Sequence, residues 1–180
     1  MRRFAGVAAL GSAVALTIAL IAPAAVASAA ENSATASIPI DDVTTLEAHT
    51  TANCVKADGQ CYFTSSANLL TPDGPTGFPP QFYARQNTTV RSMDRMVYLD
   101  SDFNAPNTRM FKSIGSVEFS TVYFDGGPPE KFTLHGNTRT TDWSTGRPKT
   151  DANFIACSYI QVVYANVNLT SPTACATTTY

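Results

Sequence analysis

The sequence is poor in the residues that most enzymes use for acid–base or metal chemistry. Its 180 residues include two histidines, four cysteines and one tryptophan, and only 14% are charged. No Cys-x-x-Cys redox pair is present, and gaps of six and 17 residues between cysteines match no common zinc motif. No serine lies in the Gly-x-Ser-x-Gly pattern of an exposed nucleophile. We therefore predict no catalytic residues, no metal site and no cofactor.

Runs of basic residues and long apolar segments are also scarce. The chain has 12 basic and 14 acidic residues, and removing Arg2 and Arg3 with the N-terminal segment leaves 10 against 14, a formal charge of −4. An acidic chain without a Lys/Arg cluster is a poor nucleic-acid binder. After residue 30 no apolar segment approaches the roughly 20 residues that span a membrane. We expect neither a nucleic-acid partner nor a stable membrane anchor.

Residues 1–29 have the pattern of a secretory signal peptide. A short basic start precedes a long uncharged stretch rich in Ala, Val, Leu and Ile, and small-x-small cleavage sites end at Ala27 and Ala29. An uncleaved membrane anchor is the alternative, but weak hydrophobicity and the cleavage sites favour the signal peptide. The sequence predicts a secreted, extracellular protein cleaved after Ala27 or Ala29.

The rest of the chain divides into a leader and one domain. Residues 30–45 are small and polar, and we interpret them as a flexible leader. Residues 46–180 show a hydrophobic period of two and fit one disulfide-containing β domain. Residues 116–124 and 131–143 alternate most clearly and predict a hairpin, while residues 153–164 are apolar on both faces, as in a central strand covered on both sides.

Turn signals separate these strands at short intervals. Residues 50–55 and 60–69 predict a first hairpin. Residues 81–91 and 95–99 predict two further strands. Apart from the signal helix, no predicted helix exceeds a turn or two. The pattern predicts an all-β fold, an antiparallel β-sandwich or barrel of about seven to eight short strands.

The four cysteines allow three disulfide connectivities. A four-residue turn at residues 56–59 would place Cys54 directly opposite Cys61, and a turn centred on Asn166 would place Cys157 opposite Cys175. We favour these two local bridges, with a crossed pairing that joins the chain ends as the alternative. Disulfides persist in the oxidising compartments that a signal peptide leads to.

Residues 71–80 form a candidate binding loop. Four prolines and two glycines surround Phe78, which Pro79 and Pro80 follow directly. A stiff loop that presents an aromatic ring loses little entropy on binding, which suits recognition. The alternative is a strand connection with Phe78 packed on the core.

A second candidate is a stretch that holds half of the basic residues after the signal. These residues are Arg85, Arg91, Arg95, Arg109 and Lys112. They could form a docking face for an acidic protein or an anionic cell-wall polymer. Aspartates within the same stretch offer the alternative of a self-neutralised surface.

No pattern in the sequence identifies a reaction. His135 would be the base of a small hydrolase if the fold brought a serine or aspartate to it. A secreted protease inhibitor is a further alternative, suited to a rigid loop held by disulfides. With its Ala-rich signal and four cysteines, the chain resembles small exported proteins of actinobacteria over its whole length, which implies export but no specific activity. Its cysteine spacing differs from that of bacterial subtilisin inhibitors. Our leading hypothesis is a non-enzymatic β domain that binds a protein or a cell-envelope component.

Overall fold

A computed structural model describes residues 32–180, so the predicted signal peptide lies outside the described residues. Twelve strands and one 3-10 turn, at Pro129–Phe132, make up this part of the chain. The strands are β1 (Asn32–Pro39), β2 (Thr45–Val55), β3 (Gln60–Thr71), β4 (Gly74–Thr76), β5 (Tyr83–Ser92), β6 (Val97–Asn104), β7 (Thr108–Ser113), β8 (Ser116–Phe124), β9 (Thr133–Asp142), β10 (Phe154–Tyr164), β11 (Val167–Thr170) and β12 (Ala174–Thr178).

The strands form two antiparallel sheets that pack face to face, which confirms the predicted all-β class as a β-sandwich. The first sheet has the order β1-β2-β3-β9-β6, with β4 paired to the end of β3. The second has the order β11-β10-β5-β8-β7, with β12 also paired to β10. The strand count exceeds the predicted seven to eight because short edge strands such as β4 and β11 carry too few residues to show a period.

The interior contains two apolar clusters rather than one. One cluster includes Phe63, Phe119 and Phe154, whose rings meet between the sheets at centroid distances of 5.3 and 6.4 Å. The other includes Phe78, Phe82, Phe132 and the ring of Tyr123. Inward-facing positions of the strands supply both clusters, as expected when alternate side chains of two sheets interdigitate.

Buried hydroxyl groups also join the two sheets. The Thr50 hydroxyl on β2 lies 2.6 Å from that of Ser158 on β10, and it donates to the carbonyl of Ala174 at 3.0 Å. The Thr88 hydroxyl on β5 donates to Ser65 on β3 at 2.9 Å. These groups are fully or almost fully buried, so their pairing offsets the cost of removing them from water.

The predicted flexible leader over residues 30–45 is wrong for most of its length. Residues Asn32–Pro39 form β1, which pairs with β2 from Asn32↔Ala52 to Pro39↔Thr45. Ala34, Ala36 and Ile38 point towards the core and are half-buried, while the residues between them are exposed. Small alanine side chains gave a period too weak to recognise in the sequence.

The predicted hairpin of residues 116–124 and 131–143 is also wrong, although both strands exist. Strand β8 pairs with β5 and β7 in the second sheet, whereas β9 pairs with β3 and β6 in the first. The 3-10 turn at Pro129–Phe132 carries the chain from one sheet to the other. Strand β10 is central in its sheet, but beyond Ala156 its side chains mostly alternate between buried and exposed, so only its first residues are covered on both faces.

Both disulfides join residues that oppose each other across neighbouring strands. Cys54 pairs with Cys61 in the β2–β3 hairpin, and Cys157 pairs with Cys175 between β10 and β12. The favoured connectivity is therefore confirmed, and no described cysteine is free. Two disulfides indicate an oxidising environment.

The sandwich has two ends that differ in their turns. The β2–β3, β5–β6 and β7–β8 turns and the connection between β9 and β10 lie at one end, as the register of Gln60↔Arg139, Arg91↔Ser116 and Val97↔Asp142 requires. The β1–β2 turn and the connections near residues 72–82 and 125–132 lie at the opposite end.

Candidate functional site

The candidate binding loop does not present its aromatic ring. Phe78 is only 4% exposed and stacks on Phe82 at 4.1 Å, with Phe132 edge-on at 4.7 Å. Its backbone exchanges two hydrogen bonds with Gly127, which fixes the loop against the connection after β8. The interpretation of Phe78 as a binding residue is therefore wrong, because burying a whole ring in the second apolar cluster stabilises more than exposing it. Pro79 beside it is half-buried.

Pro80 is exposed, but the ring of Phe78, which was predicted to form a binding surface with it, is buried. The loop is a connection between sheets rather than a platform. Gly74–Thr76 forms β4 on the edge of β3, and the chain then crosses to β5 in the second sheet.

The four arginines of the basic stretch separate into two pairs. Arg85 and Arg109 lie midway along the outer face of the second sheet. Arg91 is on the same face but at the end of β5, next to Arg95 in the β5–β6 turn. Arg91 lies six positions after Arg85 along β5, a distance of about 20 Å in a strand. The four arginines therefore do not form one continuous basic patch, because charges that are close in the sequence lie far apart on extended strands.

Arg85 and Arg109 line a groove of about 690 Å³ on the outer face of the second sheet. Strand β8 runs between them, with Arg85 opposite Val122 and Arg109 opposite Ser120. The two strands that carry the arginines are two steps apart, which separates their backbones by about 10 Å. We call this site the Arg85–Arg109 groove; its lining residues are Tyr83, Arg85, Ala105, Asn107, Thr108, Arg109, Phe111, Ser120, Val122 and Phe124.

Exposed aromatic rings border the two ends of the groove. Tyr83 and Phe124 meet edge to face at 5.7 Å at one end, with 42% and 58% of their surface exposed. Phe111, which is 54% exposed, lies at the other end opposite Glu118. Phe124 lies six positions after Glu118 along β8, so the groove is about 20 Å long.

The guanidinium groups of the groove are not neutralised by carboxylates. Arg85 donates through Nε to the Ser120 hydroxyl at 2.9 Å, which holds the side chain along the sheet and leaves its terminal nitrogens free. Arg109 is exposed, and neither arginine takes part in an ion pair among residues 32–180. Glu118 is the acidic residue nearest in the strand register. The groove therefore presents two positive charges on a chain of negative net charge.

His135 has no acidic partner in the described part of the chain. Its Nδ1 lies 3.2 Å from the Thr64 hydroxyl on the outer face of the first sheet, and its strand neighbours are Thr64 and Asn104. A hydrolase would need a carboxylate or a second base to orient and charge-balance this ring. No contact of His135 favours the hydrolase alternative.

His49 on β2 has more polar partners than His135. Nδ1 lies 2.9 Å from the Thr35 hydroxyl, and Nε2 lies 2.6 Å from the Asn68 side-chain oxygen and 3.4 Å from the Glu47 carboxylate. Asn68 also donates to Glu47 at 3.2 Å. This network ties three neighbouring strands together on an open sheet face, which is a structural role.

Residues 32–180 contain no group of three or more His, Cys, Asp or Glu side chains that could hold a metal ion. Within the same residues no helix is long and apolar enough to cross a membrane.

No family model matches this chain. No curated protein matches it either. Among solved structures, similarity is found to the NetB toxin of Clostridium perfringens in its membrane-inserted form, with 5% identity over 84% of this chain and 92% of that one, at a TM-score of 0.25. A structure described as a pore forming protein has 6% identity over 84% of this chain and 88% of its own, at a TM-score of 0.22. Similarity this low bears on neither fold nor function.

Sequence reasoning found the arginines of the groove but missed its aromatic residues. Tyr83 on β5 pairs with Phe124 on β8, and both side chains face outward. The next pair along, Ala84 and Tyr123, faces inward and is buried. An aromatic side chain on the polar phase of an amphipathic strand was the available signal. Phe111 could not be placed, because β7 shows little alternation.

Proposed function

We propose that this protein is a secreted, non-enzymatic β domain that binds an anionic polymer of the cell envelope in the Arg85–Arg109 groove. The observation that supports this most directly is the pair of guanidinium groups without an acidic partner, set between exposed aromatic rings. Arginine presents its donors in a planar fork that matches phosphate and carboxylate groups.

The shape of the groove favours a chain over a small molecule. It is open to solvent, about 20 Å long, and bordered by aromatic rings at both ends. A small ligand usually needs a concave pocket that buries most of its surface. An extended polymer can instead contact both arginines and place its repeating units against Phe111 and Phe124.

Anchoring of Arg85 adds to this argument. The hydrogen bond to Ser120 fixes a side chain that would otherwise lose considerable rotamer entropy on binding. Asn107, at the same groove, adopts φ of 52° at the end of the β6–β7 connection, and its carbonyl accepts from the amide of Val122. A ligand would therefore meet a surface that is already held in place.

Export is part of the proposal and rests on the sequence. The signal peptide predicted over residues 1–29, cleaved after Ala27 or Ala29, would release the domain outside the cell. The two disulfides agree with that compartment. An envelope polymer would then be among the first anionic surfaces that the protein meets.

Calorimetric titration of the purified domain with three polymers tests the proposal. The probes are a poly(glycerol phosphate) teichoic acid, a polygalacturonate and neutral dextran. We expect binding to one or both anionic polymers and none to dextran, and we expect added salt to weaken it because surface charges are screened. The stronger of the two anionic probes identifies phosphate or carboxylate as the recognised group.

Variants locate the site. Arg109→Ala removes one charge-assisted contact, each of which contributes about 1.5–3 kcal/mol, so we expect affinity to fall by about 10- to 100-fold. Ser120→Ala frees Arg85 and should weaken binding several-fold without changing the charge. The matched control is Arg147→Ala, which removes an exposed arginine from the connection between β9 and β10. Equal losses for Arg109→Ala and Arg147→Ala, or no binding to any anionic polymer, would refute the proposal.

A further inference from the structure

Exposed apolar side chains collect at the end of the sandwich that carries the β5–β6 and β7–β8 turns. Met93 and Met96 lie in the β5–β6 turn and are 49% and 64% exposed, and Ile114 in the β7–β8 turn is 78% exposed. Trp143, directly after β9, is 49% exposed. Together with Tyr98 at the start of β6, these residues form what we call the apolar tip.

The parts of the tip lie next to one another. A Cβ atom on Gly115 would come within 2.4 Å of the Arg95 carbonyl oxygen, so the two turns that carry Ile114 and Met96 touch. The ring of Tyr98 meets that of Trp143 edge to face at 5.9 Å. The exposed surface of the five side chains is on the order of 500 Å², a size at which an apolar patch on a monomer is often functional.

We propose that the apolar tip docks on the surface of a lipid bilayer. Trp and Tyr are the side chains that prefer the boundary between headgroups and acyl chains, and Met and Ile supply apolar groups that bury beyond it. Four of the five side chains project from turns and Tyr98 from the first residues of β6, so all five lie at one end of the sandwich and can enter the interface together. This inference does not depend on the Arg85–Arg109 groove.

The charged groups at the tip favour the same orientation. The Asp94 carboxylate accepts from the Ser92 hydroxyl and the Met96 amide, at 2.9 and 3.0 Å, so it is engaged within its own turn. The Asp142 carboxylate accepts in the same way from the amides and hydroxyls of Ser144 and Thr145, in the turn after β9. Arg95 is exposed and takes part in no ion pair among residues 32–180, so its charge is available to an anionic headgroup.

The opposite end of the sandwich carries an excess of negative charge. Its turns contain one basic residue, Lys131, and five acidic residues, which are Asp41, Asp42, Asp73, Asp125 and Glu130. Anionic headgroups repel this end and leave the apolar tip as the end that faces the membrane. These electrostatic forces between the protein and the headgroups extend over about a Debye length, so the orientation depends on the salt concentration.

The position of Trp143 makes the test direct, because it is the only tryptophan of the chain. The domain is mixed at low salt with two kinds of vesicle. One is pure phosphatidylcholine, and the other contains about 30% phosphatidylglycerol as the anionic lipid. We expect co-sedimentation with the anionic vesicles, a blue shift of the Trp143 emission, and quenching by lipids brominated on the acyl chain. Ile114→Asp and Met96→Asp should each lower the partition coefficient by about tenfold or more.

The matched control is Val43→Asp, which places the same charge at a 62% exposed apolar residue in the β1–β2 turn at the opposite end. This variant should bind vesicles about as well as the unaltered domain, with a loss of no more than roughly 20%. Thermal unfolding verifies that every variant is folded. Absence of vesicle binding overturns the proposal, as does binding without any change in Trp143 emission. Loss of a dimer in the Ile114→Asp variant, with no vesicle binding by either protein, would instead identify a second copy of the chain as the partner.

Discussion

Replacing Gly136 by alanine should destabilise the sandwich through one side chain, Phe63. Gly136 lies in β9 directly opposite Phe63 in β3, and a Cβ built on it would stand 2.2 Å from Cζ of that ring. The ring cannot move away freely, because it is 2% exposed and packs between Phe119 and Phe154. Glycine in this strand therefore allows the ring to lie over the backbone.

The magnitude follows from two opposing effects. Overpacking of a well-filled core costs about 1–3 kcal/mol. Alanine in a strand interior recovers about 0.5–1 kcal/mol, because glycine loses more backbone entropy on folding. We therefore expect Gly136→Ala to lower the free energy of unfolding by about 1–2 kcal/mol, which corresponds to a fall in Tm of about 2–4 °C per kcal/mol in a chain of this size.

A double-mutant cycle in urea assigns the effect to the ring. Phe63→Leu removes the atoms that the new Cβ would meet, at its own cost in lost packing. In that background Gly136→Ala should be neutral or stabilise by about 0.5 kcal/mol, so that the coupling energy is at least about 1 kcal/mol. Additive costs within about 0.5 kcal/mol would refute the account, as would a single Gly136→Ala variant that is more stable than the parent.

Three further perturbations test other parts of the structure. Phe78→Ala should lower the unfolding free energy in urea by about 3–5 kcal/mol, because the ring is buried; a change below about 1 kcal/mol would restore the exposed-loop interpretation. Replacing Cys157 and Cys175 together by alanine should cost about 3 kcal/mol in calorimetric stability, and a loss no larger than for an exposed substitution would contradict a structural bridge. Hydrogen bonds from the Ser144 hydroxyl and from Thr145 lower the pKa of Asp142 from 3.8 to about 2. The contribution of the ionised carboxylate to stability is therefore present above pH 4 and is lost as the pH falls towards 2. In Asp142→Asn the Tm should depend less on pH in this range, and an unchanged profile would count against the capping role.

Sequence periodicity was informative where one face of a strand is apolar and the other polar. Residues 116–124 were predicted to alternate, and Val117, Phe119 and Tyr123, which share one face of β8, are all buried. Opposition across a short turn also fixed the disulfide between Cys54 and Cys61, because a hairpin constrains its register locally. These features depend on interactions between residues close in sequence.

The candidate site could be predicted only in part for the opposite reason. Arg85 and Arg109 stand two strands apart on one face because β5, β8 and β7 are neighbours, an order that no local pattern encodes. Arg91 is on the same face but lies six positions further along β5, about 20 Å from Arg85. Phe78 shows the same limit, since its loop composition suits exposure and only the apolar space beside Phe132 decides its burial.

The sequence by itself determined the class of the fold, several of its strands and the disulfide between Cys54 and Cys61, because period-two patterning and hairpin geometry act over a few residues. The tertiary structure decided the rest. Sheet order placed β8 and β9 on opposite sides of the core, brought Arg85 to Arg109, and gathered Met96, Ile114 and Trp143 at one end. Such neighbours come from distant segments, and long-range pairing is set by packing of the whole core rather than by the residues beside them.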